Sequence, residues 1–177
     1  MRQFQRSFSR LAGQTCWGVK RGHGSFLTLE FGLPHLRVRE PRAVVGASAP
    51  VARLLSRRSV TVRGDWHLWL YCCAWAVFDK SHDLVGDTSS KQKIDRAARF
   101  LDGQRLVSAT LTPRKLRTNL RFDLGARLVT EPYDRVSEQW YLYEPEGKVL
   151  ALRADRTWSY HPGNQPPETI RWRALRA

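Results

Sequence analysis

Cysteine is scarce in this 177-residue chain: only Cys16, Cys72 and Cys73 occur. No two are spaced as CxxC, so neither a zinc ribbon nor a dithiol redox centre is supported. Neighbours such as Cys72 and Cys73 point to opposite faces of a strand and rarely bond to each other. An odd, sparse count suits a reducing cytosol. Long apolar runs are missing as well. The longest, Trp66–Phe78, has thirteen residues, short of the roughly 18 that span a bilayer. No secretory signal is legible. Signatures of catalysis are absent: there is no HExxH, no GxSxG and no Walker loop. His23, His35, His67, His82 and His161 are scattered. Asp79, Asp83 and Asp87 lack the close spacing and closing Glu of an EF-hand loop. Gly22-His23-Gly24-Ser25 is too short for a phosphate loop and reads as a turn before a strand. The residues therefore point to no cofactor, no metal and no catalytic group. One enzymatic reading survives, in which Asp65, His67 and His82 converge with a cysteine.

Positive charge is abundant. Thirty Lys and Arg face sixteen Asp and Glu, a net charge of +14, and only six of the thirty are Lys. Such a surface attracts polyanions, so nucleic acid, an acidic protein and an anionic membrane surface all fit. Arginine forks phosphates and stacks on bases, which suits nucleic acid; a GC-rich genome would give the same bias.

Hydrophobic residues make up 42% of the chain, with seven Trp, seven Phe and five Tyr, enough for a packed core in one domain. They fall in short runs that favour strands. In residues 25–31, Leu27, Leu29 and Phe31 face one way and Thr28 and Glu30 the other. Gly32 and Pro34 then turn the chain, and in 35–40 Leu36 and Val38 oppose Arg37 and Arg39. This predicts a hairpin with one buried face. Residues 41–57 read as a connector with a helical turn at 51–55. A strand is expected at 58–63, closed at Gly64-Asp65, and Trp66–Phe78 reads as a central strand, plain or bulged. One helix, about 89–102 and capped by Asp87 or Thr88, carries the stripe Ile94, Ala97, Ala98 and Leu101 and stops at Gly103. Strands follow at 105–111, 115–122, 126–130, 138–143, 148–153 and 156–160. Residues 1–24, basic and free of acids, read as an arm or helix with Phe4, Phe8 and Leu11 at helical spacing, or as a transit peptide. Residues 164–177 form a basic tail.

The two halves resemble each other. TLEFGLPHLRVREP (28–41) equals NLRFDLGARLVTEP (119–132) in length and matches it at Leu29/Leu120, Phe31/Phe122, Leu33/Leu124, Val38/Val129, Glu40/Glu131 and Pro41/Pro132. Trp66-His67-Leu68 matches Trp140-Tyr141-Leu142. An internal duplication is expected, with repeats at 25–78 and 105–161 and the helix between them inside a domain spanning 25–163. Each unit would cover the apolar face of the other. Along 115–122, Lys115, Arg117, Asn119 and Arg121 share one face and Leu116, Thr118, Leu120 and Phe122 the other. Arg37 and Arg39 take the same part in the first unit. Both units would then raise cations on a common sheet able to track phosphates. Arg114 adjoins this face, and Arg171-Trp172-Arg173 in the tail suits stacking on an unpaired base. Trp17, Trp66, Trp69, Trp75, Trp140 and Trp158 are expected in the core or at sheet ends, with His67 partly buried beside Trp66 and Trp69.

The order of LDGQRLVSATL, LRFDLGARLVTEP and SEQWYLYEPEGKVLALRADRTWSYHP resembles a group of small uncharacterised bacterial proteins, some of them similar to immunity-type proteins of polymorphic toxin systems. The resemblance covers about 101–162, with a weaker echo in 25–78. It places Phe122 and Gly125 at the family's hairpin and Glu138 and Trp140 at its E-x-W strand. It implies a bacterial, cytoplasmic protein without cofactor or catalytic residue, which favours the arm or helix over the transit peptide for residues 1–24.

These observations predict an α+β, mainly β fold, a sandwich or open barrel of two related antiparallel units with one helix. The function expected is binding without catalysis, through Arg37, Arg39, Arg114, Lys115, Arg117, Arg121, Arg171, Trp172 and Arg173, to nucleic acid or a nucleoprotein. The alternative is an immunity or defence protein docking an acidic protein. No membrane partner and no small-molecule substrate is expected.

Overall fold

The computed structural model describes the chain apart from residues 25, 44, 47, 80, 81 and 177, and only the backbone of 82–84. Two antiparallel sheets face each other. The larger has seven strands in the order β1 (Cys16–Arg21), β2 (Leu27–Arg39), β3 (Ser59–Leu70), β9 (Glu138–Tyr143), β10 (Lys148–Arg153), β11 (Thr157–Pro162) and β12 (Arg173–Ala174). The smaller has five, in the order β5 (His82–Gly86), β4 (Cys73–Asp79), β8 (Ala126–Pro132), β7 (Arg117–Phe122) and β6 (Leu106–Thr112). Neither sheet closes on itself, so the fold is a mainly β sandwich rather than a barrel. Among the described residues no helix is long and apolar enough to cross a membrane.

Alternation supplies the core. Leu27, Leu29 and Phe31, then Trp66, Leu68 and Leu70, then Trp140 and Leu142 turn inward from the larger sheet. Trp75, Val77, Leu120, Phe122 and Leu128 meet them from the smaller one. Removing this apolar surface from water is the dominant favourable term in the fold. Trp66–Phe78 is not one strand. The inward residues are even-numbered up to Leu70 and odd-numbered from Cys73. The slip at Tyr71-Cys72 turns the chain over as it passes from one sheet to the other, which keeps both runs facing the same core.

Among the described residues three α-helices occur. α1 (Arg2–Leu11) buries Phe4, Phe8 and Leu11 at helical spacing. It packs on β6 and sets Phe4 and Phe8 against Trp140, with ring centroids 6.1 and 5.8 Å apart. The turn expected at 51–55 is α2 (Ala49–Leu55). α3 (Lys91–Leu101) buries the expected stripe, starts two residues later than expected with Ser90 as its N-cap, and is followed by Gly103 at φ +85°. It packs on both β1 and β5 and so covers one open side of the sandwich.

The hairpin expected at 25–40 is instead the single strand β2, paired with β3 from Leu27↔Leu70 to Arg39↔Ser59. The signal that resembles a turn is a bulge. Gly32 has φ +79°, the Leu33 N–H donates to Asp65 Oδ2 at 2.8 Å, and the register slips between Phe31 and Pro34. Gly64 is no turn either; it lies within β3, where a Cβ would come 2.4 Å from the Phe31 carbonyl oxygen. The segments matched between the two halves do not share a structure. Residues 28–39 belong to one strand of the larger sheet, whereas 119–132 form the β7–β8 hairpin of the smaller. Two strands that each bury alternate Leu and Phe match in sequence without sharing a structure. The Trp66-His67-Leu68 and Trp140-Tyr141-Leu142 motifs lie side by side, since β3 pairs with β9 through Leu68↔Leu142.

Candidate functional site

Along 66–70 of β3 and 140–143 of β9 the even-numbered residues are buried, so His67, Trp69, Tyr141 and Tyr143 face outward, and all four carry rings. Trp69, Tyr71, Tyr141 and Tyr143, joined by Phe26 and His67, are all half-buried. They form a continuous row: Phe26–Tyr71 4.7 Å, Tyr71–Trp69 4.8 Å, Trp69–Tyr141 5.7 Å, Tyr141–Tyr143 6.4 Å and Tyr143–His67 5.5 Å between ring centroids. These separations lie near the range of favourable ring pairing. The row opens at one end into a cleft of about 960 Å³ lined by Arg37, Arg63, His67, Trp69, Tyr143 and Lys148 among others.

A buried carboxylate organises the cleft floor. Glu30, paired across the strands with His67, takes the His67 ring nitrogen Nδ1 at 2.9 Å, Arg63 Nη1 at 2.7 Å and the Gly64 N–H at 3.0 Å. Burial alone would raise its pKa, but His67, Gly64 and Arg63 together outweigh burial and lower it to about 2. Glu30 is therefore an ionised anchor rather than a proton donor. Burial raises the Tyr143 phenol, and the nearby charges of Arg37 and Arg63 oppose that rise.

The other acids at the cleft are engaged. Glu144 is buried and accepts from Ser7, Arg10 and Tyr160. Glu146 pairs with Arg10, and Asp65 holds the Leu33 N–H. Among the described residues no ion pair involves Arg37 or Lys148. Arg37 and Lys148 therefore stand outside any described ion pair, beside stacked rings, in a cleft whose lining also carries Asp65, Glu144 and Glu146.

The cations expected on one common sheet lie on two. Arg37 and Arg39 are on β2 of the larger sheet, while Arg117 and Arg121 are on β7 of the smaller, with Arg114 and Lys115 in the turn before it. The physical reason is that the two matched segments pair into different sheets. Of the expected residues, Arg37 reaches the cleft. Arg39 donates to the Leu54 carbonyl at 2.8 Å, and Arg117 is ion-paired with Glu131. Arg121, Arg114, Lys115 and Arg171 are exposed. Trp172 is half-buried with the Arg153 guanidinium 4.9 Å from its ring, and Arg173 lies over Trp158 at 5.6 Å.

Of Asp65, His67 and His82, the first two line the cleft together. His82, whose side chain lies outside the described residues, is on the edge strand β5 of the other sheet. Cys16 and Cys73 are buried, and burial raises both thiols well above their ordinary range. His161 is buried against Ser159 Oγ at 3.1 Å. Among the described residues no cluster of three or more His, Cys, Asp or Glu is placed to hold a metal.

Sequence reasoning missed Phe26, Arg63, Trp69, Tyr71, Tyr141, Tyr143 and Lys148. Trp69 in particular is outward, not core. The signal was available: β3 and β9 carry large rings in both phases, where a half-exposed strand carries polar residues in one. No family model, no curated protein and no solved structure matches the chain.

Proposed function

We propose that this protein binds single-stranded nucleic acid along the outward face of its larger sheet. The observation that carries the reading is the continuous row of half-exposed rings from Phe26 to His67, ending beside Arg37 and Lys148. Bases of any sequence stack on such rings, and the flanking cations neutralise phosphates with release of counterions. A duplex keeps its bases stacked internally and offers the rings nothing.

The test is an anisotropy titration of labelled single- and double-stranded RNA and DNA at low and physiological salt. A preference for single strands that persists at physiological salt supports the reading. Equal binding to every form, lost at physiological salt, would overturn it. A second reading rests on the exposed cations Arg114, Lys115 and Arg121, which belong to the other sheet, away from the rings. They suit the immunity-type role, with an acidic protein as partner, and indifference to nucleic acid in the same titration favours it.

A further inference from the structure

Beyond the bulge, β2 and β3 continue past both of their neighbours. β1 pairs with β2 only over Leu27–Phe31, and β9 pairs with β3 only over His67–Leu70. Residues 34–39 and 59–63 therefore form an isolated two-stranded ribbon, with Leu36↔Val62 and Val38↔Val60 opposite each other on one face. These four side chains are 69, 50, 52 and 56% exposed respectively. The other face carries His35, Arg37, Arg39 and Arg63, and the Arg39 bond to Leu54 ties α2 to that side. A ribbon of two strands is marginal in water unless one face is covered.

What covers this face is indicated by its charge. In a chain of net +14, the aliphatic face carries no net charge. One residue past the last paired position, and in phase with Val38 and Val60, Glu40 and Arg58 neutralise each other through two hydrogen bonds of 2.9 and 3.1 Å. An acidic protein or an anionic membrane would select a cationic face, and this face offers none. Nucleic acid has no aliphatic surface to bury against it. A surface with one cation and one anion flanking an apolar strip is self-complementary across a two-fold axis, since each charge meets its opposite on the other copy.

We infer that the aliphatic face of this ribbon is a homodimer interface, in which Leu36, Val38, Val60 and Val62 of two copies pack together and Glu40 and Arg58 pair across the axis. The contact is small, so the dimer is weak, with a dissociation constant on the order of tens of micromolar. Stacking the ribbons turns the basic faces away from each other. The remaining repulsion between two strongly cationic chains is screened by salt, so dimerisation strengthens as salt rises. Nucleic-acid binding changes in the opposite direction, so the two readings fail independently.

The test is sedimentation velocity of the full chain up to about 500 µM at low and high salt. Four further proteins are compared: Leu36→Ser with Val60→Ser, Glu40→Arg, Arg58→Glu, and the last two mixed. Near-UV circular dichroism checks that each is folded. The expected result is a salt-strengthened dimer, lost in the serine variant and in each charge variant alone, and restored by mixing the two charge variants. A monomer at every concentration overturns the inference, as does a dimer that survives the serine changes. Sedimentation of a monomeric chain with phosphatidylglycerol vesicles but not phosphatidylcholine vesicles, abolished by the serine changes, also overturns it and assigns the face to lipid.

Discussion

The indole N–H of Trp140 donates to Thr118 Oγ1 at 3.0 Å, a hydrogen bond that crosses the core from the larger sheet to the smaller. Both side chains are buried. Thr118→Val keeps the shape and removes the acceptor, leaving the indole donor without its partner in an apolar interior. The expected loss is about 1–3 kcal/mol, read as a lower urea midpoint with an unchanged slope.

Glu30 gives the protein an acid-sensitive term. Its pKa falls from an ordinary value near 4.5 to about 2, so the unfolded chain takes up its proton first as pH falls. The stabilisation is complete above about pH 4.5 and is lost between there and pH 2, with a size on the order of 2–3 kcal/mol. Glu30→Gln is expected to lower stability at neutral pH and to flatten this part of the profile. Thermal melts from pH 7 to pH 2 on both proteins check it. A variant that keeps the full acid slope would assign the slope to other carboxylates.

Gly64 is held by contact, not by conformation. A methyl group there meets the Phe31 carbonyl oxygen at 2.4 Å and the Phe31 nitrogen at 2.8 Å, both backbone atoms. Gly64→Ala is expected to push β2 and β3 apart at the bulge and to destabilise by about 2 kcal/mol or more. It should also disturb the Gly64 N–H bond to Glu30. Chemical denaturation gives the first effect and the shape of the acid transition the second.

For the aromatic face, Trp69→Ala is expected to weaken single-strand binding by about 1–3 kcal/mol, the range for loss of one stacked base. Arg37→Glu is expected to weaken it and to reduce its salt dependence. Arg121→Glu, on the other sheet, is expected to change it little. Anisotropy titrations of the three variants check the ordering, and equal losses in the two Arg variants with none in Trp69→Ala would point to charge alone.

Much of this fold was legible because its strands obey a simple period. The six strands from β6 to β11 lie close to the ranges read from their apolar residues, and the stripe of α3 is buried as its spacing predicts. What misled was punctuation. Gly32 with Pro34, and Gly64 with Asp65, have the composition of turns, and nothing local distinguishes a turn from a bulge that lets two long strands continue. The strand switch at Tyr71-Cys72 is marked only by a one-residue slip in phase. The candidate site was harder to read. Large rings count as core by default, and seeing that Trp69 and Tyr141 face outward requires knowing that Leu68, Leu70, Trp140 and Leu142 already fill the inward phase. The cations were visible, but their division between two sheets depends on long-range pairing that no local pattern encodes.

The anchoring of α1 has a consequence for how the chain is made. Ser7 and Arg10 both bond to Glu144, and Phe4 and Phe8 rest on Trp140. β6 offers α1 a partial platform once it has been made, but Trp140 and Glu144 come later, on and just after β9. Until then part of the apolar stripe of α1 stays uncovered, and the larger sheet, whose β3 pairs with β9, lacks its second half. The two settle together when β9 emerges, so a segment made early waits for one made much later.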